Sequence, residues 1–164
     1  LEFVVVRGRE NIAPIIDPLA KNMAAFKKLV HEADESGDKD KMAMFADALP
    51  KQQRMLMQSG LLILPFFRQK QSPLLKPVEQ SSLNYFASAW CALENMLLAA
   101  TAEGLGTVFH IPVGDEAEKI KEIVGAPEDY ELICLLTMGY PAADAFRPKQ
   151  KEIDIGERMH TNVW

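Results

Sequence analysis

From Leu83 to Ala100 the large apolar residues Leu83, Phe86, Trp90, Leu93 and Leu97 recur every three or four positions, and Ala100 continues the series. That spacing predicts a helix from about Glu79 to Glu103, the longest in the chain. Its other sides are hardly more polar: Ser81, Asn84, Ser88, Cys91 and Asn95 leave one narrow polar stripe among alanines and large apolar groups. Such a pattern predicts a central helix buried by its neighbours on most sides.

Upstream, Phe3 to Val6 reads as a β-branched strand, and Pro14 and Pro18 punctuate a loop before a helix over Leu19 to Ala33 with Met23, Phe26 and Val30 at helical spacing. "DESGDKDK" reads as a solvated turn. A second helix is expected over Lys41 to Gln58, with Pro50 inside it and Gly60 after it. "LLILPFF", Leu61 to Phe67, is read as a strand with Pro65 near its end, followed by an irregular loop that could cover a pocket. Downstream, Thr107 to Ile111 is a strand. "GDEAEKIKEIVG" is a short helix with Asp115 as cap, Glu118 completing a capping box and Gly125 as its end. Glu131 to Tyr140 is one nearly unbroken apolar strand belonging in a sheet interior. The final "EIDIGERMHTNVW" carries enough large apolar residues to pack on something, a partner subunit included. Helices dominate over strands that do not alternate regularly with them, which predicts an α+β fold.

Composition narrows the function. The chain has 164 residues, 48% apolar and 25% charged, an ordinary balance for one globular domain spanning 1–164. Its 18 Lys and Arg against 23 Asp and Glu give a net charge of −5, with no basic and aromatic concentration, so no nucleic-acid partner is expected. No apolar run is long enough for a membrane span, and the first residues do not read as the basic region and cleavage site of a signal peptide. The two cysteines, Cys91 and Cys134, sit far apart in apolar segments and read as small buried groups, predicting a reducing, cytoplasmic setting. The start, without methionine and directly in a β-branched run, reads as an N-terminally truncated chain. His31, His110 and His160 share no metal-ligand spacing, and no nucleophile–base pair is visible, so no metal and no catalytic side chain are assigned.

The most informative short stretch is "AATAEGLGTVF", residues 99 to 109. One glycine suffices to end a helix in the left-handed conformation. The second needs its own reason: a tight bend, or an exposed backbone that something approaches closely. With the long Ala-rich helix, the capped short helix, "GAPEDYELICLLTMGYP" and the basic "RPKQK" in this order, the chain resembles the nitroreductase family of flavin oxidoreductases. The likeness is clearest from about Ser82 to Trp164.

The resemblance implies a nitroreductase-like α+β fold, a central mixed or antiparallel sheet flanked by helices around the long buried helix, assembled as a homodimer. It implies flavin mononucleotide, FMN, at the subunit interface, passing hydride from NAD(P)H to a nitroaromatic, quinone or similar small-molecule acceptor, with the chemistry on the flavin. By matching position, Glu103, Gly104, Leu105 and Gly106 would lie against the reactive side of the ring. Arg147, Lys149 and Lys151, otherwise readable as a solvated run of charge, would meet the phosphate, Lys149 and Lys151 matching best. The family's Arg-x-Ser-x-Arg and Asn-x-Gln-Pro-Trp segments are absent from this sequence. Either the chain is a fragment, or it is a shortened member whose flavin binding is weak or lost. The alternative function is a non-catalytic dimeric scaffold or binding protein on the same fold.

Overall fold

The computed structural model describes residues 1–19, 39–68, 82–145, 152–154 and 156–162. Strand β1 (Glu2–Arg7) leads into helix α1, described from residue 9 through 19, and α2 (Lys39–Gln58) precedes β2 (Leu61–Arg68). Helix α3 (Ser82–Ala102), β3 (Gly106–His110), α4 (Glu116–Val124), β4 (Tyr130–Leu132) and β5 (Leu135–Gly139) follow, with a short 3-10 turn at Gly156–Arg158. The five strands form one antiparallel sheet in the order β1-β2-β5-β3, with β4 also paired to β2.

The sheet is apolar on both faces because each is covered by helix. Leu62, Leu64 and Phe66 of β2, with Leu132 and Leu135, meet Ile12, Ile15, Ile16 and Leu19 of α1, Leu56 of α2 and Ile120 of α4. The alternate residues Ile63 and Phe67, with Ile133, Cys134 and Leu136, meet Ala89 and Leu93 of α3. This alternation is the two-residue period of a strand, read off both faces at once.

Several expectations are corrected. Pro14 and Pro18 lie within helix α1 rather than in a loop. Each interior proline costs a helix about 3 kcal/mol. Ile12, Ile15, Ile16 and Leu19 fall on one helical face and are nearly or wholly buried. At roughly 1.5–3 kcal/mol per large side chain, their burial outweighs the penalty. Of the helix expected over Leu19 to Ala33, only Leu19 is among the described residues.

The single strand expected over Glu131 to Tyr140 is two strands separated by a bulge. From Ile63 to Phe66 β2 advances three residues, while its partners advance four, from Leu132 to Leu136. The extra residue lies opposite Pro65, which has no N–H to donate. The Pro65 carbonyl accepts from Ile133 N at 3.0 Å, the bulge accommodates the missing donor, and Ile133 and Cys134 consequently face the same core.

At α4, Asp115 makes no side-chain cap, its backbone sitting at φ −96 and ψ 8, and its carboxylate pairs with Lys119 at 2.6 Å. Glu116, not Asp115 and Glu118, closes this end. Gly125 ends α4 in the left-handed conformation as expected.

Helix α3 is not buried on most sides of this single chain. Ala89, Leu93 and Ala100 are buried, whereas Ser88, Cys91, Glu94, Asn95 and Leu98 are exposed, so Cys91 is no buried group. The described C-terminal residues, Ile153 and Met159 included, are likewise exposed rather than packed on their own chain.

Candidate functional site

The two glycines of residues 99 to 109 serve different ends. Gly104, at φ +72, ends α3: Leu105 N donates to Ala100 O at 2.9 Å and Gly104 N to Thr101 O at 3.0 Å. This pair of bonds is a Schellman cap, and it accounts for Gly104 completely.

Gly106 is no bend. It is the first residue of β3, directly opposite Gly139 of β5, and its φ lies outside the left-handed region. Among the described residues, a Cβ built on it would meet Gly139 O and Pro141 Cγ, each at 3.7 Å, which is ordinary contact. Nothing in the packing of the described residues requires glycine there. Glu103, Gly104 and Gly106 are exposed and Leu105 is half-buried, so α3 ends in a stretch of bare, accessible backbone beside Gly139, Tyr140 and Pro141. That arrangement leaves room for the close approach of a flat group. Arg147, Lys149 and Lys151 lie outside the described residues, so the structure brings together Glu103 to Gly106 alone among the sequence-assigned site residues.

Further back along α3, between Trp90 and Leu97, the helix and the sheet leave an open apolar slot of about 170 Å³. Trp90 and Phe109 stand edge to face across 5.9 Å on one side, with Leu93, Cys134 and Leu136 among the other lining groups. Burial pushes the Cys134 thiol up to about 12, so it is protonated and inert at neutral pH and serves the slot as an apolar surface. Phe86 and Trp90 pack against the α3 core, as the spacing predicts.

A buried polar cluster escaped the sequence reading. His110 Nε2 and Glu116 Oε2 are 2.8 Å apart, with Glu116 wholly buried, and Val113 N donates to the same oxygen at 2.9 Å. His110 is thus one half of a buried pair joining β3 to α4. The partner was missed because capping rules point to Asp115, while a six-residue spacing from the end of a strand into a helix has no periodic signature. His160 is exposed, and His31 lies outside the described residues. No cluster of potential metal ligands occurs among the described residues, nor is any described helix long and apolar enough to cross a membrane.

Known proteins share this architecture. An iodotyrosine deiodinase of Thermotoga neapolitana is 30% identical over 97 residues, 59% of this chain and 50% of its own length. The chain therefore spans about half of that curated relative. Among solved structures, an oxidized iodotyrosine deiodinase bound to FMN and 3-iodo-L-tyrosine superposes with a TM-score of 0.68 at 18% identity, covering 99% of this chain and 76% of that one. An FMN-dependent nitroreductase of Clostridium difficile gives 0.61 at 16% identity, over 99% and 75%. At these identities the structures establish the fold, an α+β arrangement on an antiparallel sheet. The family assignment comes from the sequence itself: residues 1–140 match the profile of the nitroreductase family, and the chain belongs to that family.

Proposed function

We propose that this chain is an FMN-dependent oxidoreductase that takes hydride from NAD(P)H and passes it to a nitroaromatic, quinone or similar small acceptor, working as a homodimer in the cytoplasm. The observation that carries the reading is the bare backbone from Glu103 to Gly106 in a chain of this family, with a glycine at 106 that the packing of the described residues does not demand. Bound there, the flavin supplies the hydride chemistry, which no side chain of the described residues is arranged to perform. The protein's part is placement. Glu103 to Gly106 present main-chain groups to a ring without a side chain holding it away, and Arg147, Lys149 and Lys151 supply cationic donors for the phosphate, Arg as a bidentate fork and Lys as a mobile point charge. Homodimerisation is supported by the apolar residues that α3 and the C-terminal stretch leave uncovered, Leu98, Ile153 and Met159 among them.

The test is flavin titration of the wild-type chain and of a Lys149→Ala/Lys151→Ala variant. The double variant should lose FMN affinity and keep riboflavin affinity, because riboflavin lacks the phosphate. Each lost charge-assisted bond is worth about 1.5–3 kcal/mol when shielded from water, less when exposed. Equal losses for both ligands would return these lysines to a solvated surface.

The deiodinase likeness favours a second acceptor class, a halogenated phenol reduced with loss of halide. Turnover of 3-iodo-L-tyrosine against a nitroaromatic, each with the FMN-loaded protein, separates the two.

A further inference from the structure

The Gly-Tyr-Pro turn at the end of β5 has no part in the proposed placement of the flavin, although it stands beside it. Gly139 closes the β3–β5 ladder opposite Gly106, and Pro141 Cγ lies 3.7 Å from where a side chain on Gly106 would begin. Tyr140, between them, is 85% exposed, more than any other large apolar residue described. Among the described residues, no hydrogen bond and no ring contact holds it.

Two constraints aim its ring. A residue that precedes proline is confined to extended backbone, so Tyr140 carries the alternation of β5 one step past Gly139. In that alternation Leu135 faces the core of α1, α2 and α4, whereas Leu136 and Met138 face α3, which places Tyr140 on the α3 side of the sheet. Helix α3 ends on that side. Its terminal turn, Glu103 to Leu105, runs into β3 at Gly106, and the pairing of Gly106 with Gly139 sets this turn and Tyr140 at the same end of the ladder. The result is a corner with bare main chain on one side and an unpacked phenol ring on the other.

We propose that Tyr140 is a wall of the flavin site, its ring packing on the isoalloxazine held against Glu103 to Gly106. This rests on the flavin reading above and adds a residue to it. Isoalloxazine is a broad, electron-poor aromatic system and the phenol an electron-rich one, so contact between them is favourable beyond the area it covers. Tyrosine also offers that area rigidly, with two side-chain torsions to fix. The wall touches the ring system and not the phosphate, so it serves riboflavin and FMN equally, whereas Lys149 and Lys151 are assigned to telling them apart. Contact has a spectroscopic mark as well: an excited flavin takes an electron from a touching phenol and returns it, losing its emission with no net reaction.

The test is titration of FMN and of riboflavin into wild-type, Tyr140→Ala and Tyr140→Phe protein, read by flavin emission, with sedimentation at the same concentrations. A side chain this exposed is dispensable to the fold, so all three should melt alike. Tyr140→Ala should raise the Kd of both flavins about tenfold. Tyr140→Phe keeps a ring but gives up no electron, so it should bind within about twofold of wild type and leave the bound flavin brighter. Unchanged affinity in Tyr140→Ala, or equal emission in Tyr140→Phe and wild type, overturns the assignment. So does a loss in Tyr140→Ala that vanishes once the protein is concentrated enough to restore a dimer, because Tyr140 is then a subunit contact. A wild-type chain that takes up neither flavin overturns the flavin reading itself, a failure the wild-type titration separates from the others.

Discussion

The two faces of the sheet are built from the same strands and differ in how completely one chain covers them. On one face, α1, α2 and α4 together enclose Leu62, Leu64, Phe66 and Leu135, all nearly or wholly buried. On the other, α3 is the one described helix over Ile63, Phe67 and Leu136, and it leaves the slot beside Trp90 as well as Phe3 and Val5 of β1 exposed. Among the described residues, three helices close one face and a single helix leaves the other partly open. The second face carries the helix whose sequence is apolar almost all round, so the pattern that predicted burial on most sides describes an element only part of whose apolar surface is satisfied within the chain. The bare backbone at Glu103 to Gly106 sits at the end of that same helix, which ties the open face to the proposed flavin site.

The largest effect that would sharpen this contrast is a truncation in the closed core. Leu135 is wholly buried there, whereas Leu98 on α3 is 60% exposed. Leu135→Ala should cost about 2–5 kcal/mol, the sum of lost transfer energy and an unfilled cavity, whereas Leu98→Ala in a monomer should stay within roughly 0.5 kcal/mol. Urea unfolding at low protein concentration measures both. Comparable losses would mean that α3 is as enclosed as the rest and that the contrast is false.

A smaller effect separates a face that is merely exposed from one that a second copy covers. If α3 meets its twin, Leu98→Lys should raise the dimer dissociation constant at least tenfold, about 1.4 kcal/mol, with little change in the stability of the monomer. Sedimentation across the micromolar range reads this directly. A wild-type chain that sediments as an 18.3 kDa monomer would remove the dimer and with it a flavin site shared between subunits.

Legibility from sequence followed the same divide. The positions of α2, β2, α3, β3 and α4 were readable because period and punctuation agree: Gly60 follows α2, and Gly104 and Gly125 end α3 and α4 in the left-handed conformation. Helix α1 was missed because two prolines outvoted the Ile12, Ile15, Ile16 and Leu19 stripe, although burial of that stripe is worth more than the prolines cost. The bulge between β4 and β5 was hidden because both faces of the sheet are buried, so a slip in alternation leaves the run equally apolar. The His110–Glu116 pair depends on a chain reversal that no local pattern encodes. For the site, the sequence singled out Glu103 to Gly106, and only the structure divides the labour between the two glycines.

That division yields the smallest and most discriminating effect. Gly104 holds φ +72, which an alanine adopts only under strain, so Gly104→Ala should lower stability by about 1 kcal/mol. At Gly106 an added Cβ finds only ordinary contacts, 3.7 Å from Gly139 O and Pro141 Cγ, so Gly106→Ala should change stability by less than about 0.5 kcal/mol. A larger branched group makes the same position informative about the ligand. If the ring lies against this backbone, Gly106→Val should obstruct flavin in protein that remains folded, because its added methyl groups occupy the space the ring needs. Thermal melting and flavin titration of the three variants, run side by side, separate the roles. Loss of flavin affinity in Gly106→Val with melting held near wild type assigns the second glycine to the ligand. Unchanged affinity in the folded variant would leave it without one, and the proposed placement of the ring at the end of α3 would fall.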